Sequence, residues 1–154
     1  MDKRTRVLNA MNKKQVDHVP VGFWFHFGGE EAEGEACIQA HLKYYRETDL
    51  DFVKIMCDGY FPYPLPKIEK AEDWMKLEPL TADHPFIRGQ VERAKKIVDE
   101  IGKERCVFYN VFAPFSSLRF GADAIGISDD QVMEYIREDR NAVMKALDVI
   151  AQSN

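Results

Sequence analysis

Three stretches of this chain are apolar almost without interruption: VPVGFWFHF over 19–27, LDFVKIMC over 50–57 and CVFYNVFA over 106–113. Each is short and rich in β-branched and aromatic residues, and they stop at Gly28-Gly29, Asp58-Gly59 and Pro114. Such runs read as strands buried on both faces, the pattern of a parallel sheet. The segments between them have helical period instead. Residues 3–12 place Val7, Leu8 and Met11 on one face, and 36–47 do the same with Ile38, Leu42 and Tyr45. The stretch from about 86 to 101 carries a stripe of Val91, Ala94, Val98 and Ile101, with Gly102 as its C-cap.

Toward the C-terminus, Ser128-Asp129-Asp130-Gln131 has the form of a capping box and predicts a helix with Val132 and Ile136 inward. A last helix carries Val143, Leu147 and Ile150. FPYPLP (61–66), with prolines at alternate positions, predicts an extended loop. Strands alternating with helices imply right-handed βαβ units around a parallel sheet. A doubly wound sheet and a (β/α)8 barrel share that pattern.

With hydrophobic residues at 45% and charged ones at 31%, the 154-residue chain can bury a core as one domain, 1–154. Its net charge of −5 argues against a nucleic-acid partner, which would need a basic face. The three cysteines, Cys37, Cys57 and Cys106, form no CxxC pair and point to neither a zinc knuckle nor a dithiol site. The first fifteen residues lack the apolar core of a signal peptide, and no apolar run is long enough to span a bilayer. The expected location is the cytoplasm, with no membrane partner.

In either architecture, function gathers at the carboxyl ends of the strands. There the sequence puts His26, then Asp58 with Tyr60, then Asn110 with Phe115, Ser116 and Ser117. A carboxylate at such an end accepts hydrogen bonds strongly and stabilises developing positive charge. Asp58-Gly59 is equally an ordinary turn dipeptide, and His26, between Phe25 and Phe27, equally a core group. His41 and His84 have no metal-ligand spacing.

VDHVPVGFWFHFGG, YYRETDLDFVKIMCDGYFPYP and VFYNVFAPFSSLRFG together resemble the N-terminal half of the uroporphyrinogen decarboxylase family. The resemblance covers nearly the whole chain. It implies an incomplete (β/α)8 (TIM) barrel holding the N-terminal βα units, and an activity of either porphyrinogen decarboxylation or methyl transfer. The latter belongs to the corrinoid-dependent relatives, such as the methylcobalamin:coenzyme M methyltransferase type. The family's pyrrole-binding Asp falls on Asp58, which makes it the implied catalytic residue. His26, Tyr60 and Phe115 are the implied substrate-binding residues.

The family's first-strand loop carries two carboxylate-binding arginines, and these positions hold Phe25 and Gly29 here. Its A-P-W-T segment is similar to Ala113-Pro114-Phe115-Ser116, and a substrate-contacting tyrosine falls on Phe120. No metal ligand is implied within these residues, because the zinc ligands of the methyltransferase relatives lie in the barrel's second half. A closed barrel needs eight strands and roughly 250 residues. The chain is therefore expected to be inactive alone, and to be a fragment, one product of a split gene, or a half-barrel module. Its expected partners are a tetrapyrrole or corrinoid-linked substrate and a second copy pairing through the open edge, as a homodimer.

Overall fold

The computed structural model describes residues 1–57, 59–60 and 62–154. The chain divides into two compact units, Met1–Gly59 with Gly89–Asn110, and Tyr60–Arg88 with Val111–Asn154.

In the first unit, β1 (Phe52–Ile55) and β2 (Cys106–Tyr109) pair in parallel, with Phe52 opposite Cys106 and Ile55 opposite Tyr109. Parallel neighbours cannot be joined by a hairpin. The connection from β1 to β2 ends in the helix α3 (Pro85–Ile101). One sheet face sends Val53 and Ile55 into a core with Ile38, Leu42 and Tyr45 of α2 (Gly34–Glu47) and Ile97 and Ile101 of α3. The apolar period read over 36–47 is thus the buried face of α2. Half of the stripe read over α3 holds: Ile101 is buried and Ala94 packs against the same core. Val91 and Val98 are exposed, and the buried residues are Arg93, Ile97 and Ile101. The error arose because an arginine occupies a core position and breaks the apolar stripe.

The strand expected over 19–27 does not form. The segment is irregular, and Phe23, Trp24 and Phe25 are 64%, 51% and 60% exposed. The Asp51 N–H donates to the Val21 carbonyl at 2.8 Å, which starts a pairing beside β1. The next groups along β1 are already engaged. The Tyr45 hydroxyl donates to the Lys54 carbonyl at 2.6 Å and accepts from the Lys54 N–H at 2.9 Å. The Met56 N–H donates to His41 Nε2 at 3.1 Å. Two side chains of α2 therefore take the backbone groups that a neighbouring strand would need. Burial pushes the Tyr45 phenol up to about 12, so it stays protonated and can serve as both donor and acceptor.

α1 (Lys3–Met11) begins at Asp2, whose side chain accepts the Thr5 N–H at 2.8 Å. From it, the buried Arg6 reaches Asp17 at 2.7 Å and Asp51 at 2.5 Å. Asp51 also accepts the Val21 N–H at 2.8 Å, so one carboxylate ties α1, the 17–21 segment and the start of β1. Burial alone would raise the Asp51 carboxyl, but the Val21 N–H and Arg6 hold it below the usual carboxylate range. A depressed folded-state pKa means stability that is present above about pH 4 and lost as pH falls through the folded value. Asp51→Asn is expected to lower stability at neutral pH by about 1.5 kcal/mol. It should also shrink the acid-side loss, as measured by urea unfolding across pH. An unchanged acid limb would show that Asp51 does not carry this linkage.

The second unit is helical: α4 (Pro114–Ala124), α5 (Asp129–Glu138), α6 (Arg140–Ser153) and a 3-10 segment, Ala71–Lys76. Pro114 ends the third apolar run as expected, but it also opens α4 from its first turn, where a missing N–H costs nothing. That helix and the 3-10 segment have no counterpart in the sequence reading. β2 also ends earlier than the run over 106–113. Half of the expected capping box forms: the Ser128 hydroxyl accepts the Gln131 N–H at 3.2 Å, while the Gln131 side chain donates to the Tyr135 hydroxyl at 3.1 Å instead. Val132, Val143 and Ile150 enter a core built around Trp74, Leu118 and Tyr63.

Candidate functional site

Asp58, the implied catalytic residue, lies outside the described residues. Its sequence neighbours Met56 and Cys57 follow β1 directly and are buried. Asn110, just after β2, holds Nδ2 3.9 Å from the Cys57 sulfur, so the carboxyl ends of the two strands meet there. His26 is exposed, which sets aside its reading as a core group. The ring that enters the interior is that of the next residue, Phe27, 4.6 Å from the His41 ring. Tyr60 and Phe115 belong to the second unit. Tyr60 is half-buried with its ring edge-on to Phe86 at 6.2 Å. Phe115 is exposed in the first turn of α4.

Between the sheet and its two helices, the structure assembles a polar cluster that the sequence reading missed. Cys37 and His41, one turn apart on α2, are both fully buried. His41 Nδ1 is 2.8 Å from the Cys37 carbonyl, and Nε2 accepts the Met56 N–H, so the proton sits on Nδ1. Arg93 donates to the Cys37 sulfur at 3.4 Å and to the Tyr109 hydroxyl at 3.2 Å, and Tyr109 donates to Gln90 at 2.7 Å. Burial opposes the Arg93 charge, yet Tyr109 and Cys37 reverse that and leave the guanidinium more basic than usual.

This cluster fixes the last residue of β2 and the residue after Ile55 of β1 against α2 and α3. Chemically it can orient the strand ends. His41 has both nitrogens committed and serves as a brace rather than a base. The signal that could have found it was the Cys37/His41 spacing of four on a helix, beside an arginine in a stretch of helical period.

Among the described residues no three His, Cys, Asp or Glu side chains converge as metal ligands. The three cysteines are buried and form no disulfide with one another. Among the same residues no helix is long and apolar enough to cross a membrane. No protein-family model, curated protein or solved structure matches the chain.

Proposed function

We propose that this chain is a uroporphyrinogen-decarboxylase-like protein of the cytoplasm, formed by the N-terminal βα units of a (β/α)8 barrel. In this reading it engages a tetrapyrrole-type substrate through Asp58. The observation that carries the reading is the parallel β1–β2 pair with a helix in its crossover. In such units binding groups collect beyond the carboxyl ends of the strands. Asp58 follows Ile55, the last residue of β1, by three positions in the sequence. His26 would line the substrate beside Asp58, and the family resemblance adds Tyr60 and Phe115 as contacts. An aspartate there would accept pyrrole N–H bonds and stabilise charge that develops on the ring.

One observation favours the methyl-transfer relatives as a second reading. The two family arginine positions are Phe25 and Gly29. A substrate with many carboxylates draws its affinity from bidentate arginine contacts. A corrinoid-linked substrate makes no such demand.

Equilibrium binding distinguishes the readings. Uroporphyrinogen under reducing conditions and methylcobalamin are each titrated into the chain and into Asp58→Asn. The decarboxylase-like reading expects uroporphyrinogen to bind and the variant to weaken it by about tenfold or more, the value of charge-assisted hydrogen bonds. Binding of methylcobalamin alone would move the assignment to methyl transfer. Equal affinity of wild type and Asp58→Asn for either ligand would remove Asp58 from the site.

A further inference from the structure

The face of the β1–β2 sheet away from the α2–α3 core is open. Phe52 and Phe108 meet there edge to face, 5.4 Å apart at 83°. With Val7 and Met11 of α1 and with Pro20 they wall a groove of about 410 Å³, within the range of small-molecule sites. Phe108 and Met11 are 38% and 64% exposed, so the groove opens to solvent. Its shape depends on Gly22. A Cβ there would lie 2.2 Å from the Phe52 ring, so only glycine lets the chain pass over that ring.

Among the described residues, Lys54 is the one charged side chain in the groove lining. Its ammonium stands 3.8 Å from the centroid of the Trp24 ring and pairs with no carboxylate among them. The larger cavity nearby, about 760 Å³, is different in kind. It is lined by Arg6, Asp51, Lys3 and Asp49, and these pair with one another at 2.5 and 2.9 Å. Those four charges are matched by the protein itself. The groove has hydrocarbon walls, and the one charged residue that lines it among those described, Lys54, carries its ammonium over the Trp24 ring.

We propose that this groove binds a small apolar anion, with an aromatic carboxylate as the best-matched class. The ring system packs against Phe52 and Phe108, and the carboxylate pairs with the Lys54 ammonium. The charge pattern selects this occupant. An amine would be repelled by Lys54, an inorganic anion would leave the apolar walls wet, and a neutral hydrocarbon would leave the ammonium without an acceptor. Phe52 and Lys54 lie on β1 itself, before the strand end that the decarboxylase-like reading invokes; in a closed barrel further strands would cover this face, so the proposal concerns the chain as it stands and is tested on it.

The test uses the full chain with naphthoate and, as a neutral match, naphthyl methanol, followed by calorimetry and by tryptophan emission. Naphthoate is expected to bind saturably at one site per chain and to change the Trp24 signal. Lys54→Met should weaken it about tenfold while leaving the alcohol unchanged, and Lys54→Arg should retain it. If Lys54→Met does not fold, added salt on the wild-type chain gives the same reading, weakening naphthoate and sparing the alcohol. Equal binding of the two probes, or no saturable binding, would overturn the proposal. So would a concentration-dependent dimer in light scattering from which naphthoate is excluded, since a second copy would then own the groove.

Discussion

Trp74→Ala is expected to cost about 3–5 kcal/mol, the range for removing a large buried aromatic. Trp74 is fully buried in the 3-10 segment Ala71–Lys76, edge-on to Tyr135 at 6.5 Å, within the core that also holds Ala142, Val143 and Ala146 of α6. Folded domains hold only about 5–15 kcal/mol in total, so this one change would consume a large share. Trp74→Phe separates two contributions. The indole Nε1 is buried with no hydrogen-bond partner among the described residues. Phenylalanine removes that donor, which offsets part of the lost ring volume. The expected loss for Trp74→Phe is therefore less than half that of Trp74→Ala. Urea unfolding followed by far-UV circular dichroism reads both. Equal losses would mean that the indole N–H is satisfied in solution, by water for instance.

The segment that carries Trp74 has no element assigned from the sequence, because nothing in 71–76 has strand or helical period. Its order comes from Asp73. That carboxylate accepts the Glu69 and Lys70 N–H groups at 3.0 and 3.1 Å and pairs with Lys76 at 2.7 Å. The Lys76 pairing and these bonds hold its pKa down to about 2. Local side-chain bonds of this kind leave no periodic trace in a sequence. α2 and α6 were legible because their apolar faces are continuous, and α5 because its cap, Ser128, is a strong local signal. The segment 19–27 was misread for a tertiary reason. Its composition suits a strand, but Tyr45 and His41 occupy the hydrogen-bonding groups along β1, a fact located in α2.

The candidate site was legible only as a set of positions at strand ends. The sequence could put His26, Asp58 and Asn110 after three apolar runs, and β1 and β2 do end near the second and third. It could not show that Phe27 rather than His26 turns inward. Nor could it show that Arg93, on the helix before β2, reaches across to Tyr109 at the strand end. Burying an arginine is expensive unless hydrogen bonds meet it, so propensity places such a residue on the surface. The structure supplies those bonds from Cys37 on α2 and Tyr109 on β2, which are 56 and 16 residues away in the sequence.

Gly59→Ala is the second large effect expected, and it bears on stability and site together. Gly59 has φ of 78°, a left-handed conformation that costs other residues about 1–2 kcal/mol. A Cβ there would also lie 2.5 Å from the Ala32 carbonyl oxygen and 2.1 Å from the Glu33 side chain. Glu33 can move aside, but the carbonyl belongs to the backbone that closes the 3-10 turn Gly29–Ala32 before α2. Relieving the clash must shift one chain segment or the other. The total loss is expected to reach about 2 kcal/mol or more.

Because Gly59 is bonded directly to Asp58, the proposed role of Asp58 expects this substitution also to lower affinity for the ligand found in the binding titrations. Asp58→Asn should lower affinity with little change in unfolding midpoint. Comparing the two variants separates a geometric contribution from a chemical one. If Gly59→Ala loses stability but keeps full affinity, ligand binding does not depend on this turn, and Asp58 loses its place in the site even where the barrel reading stands.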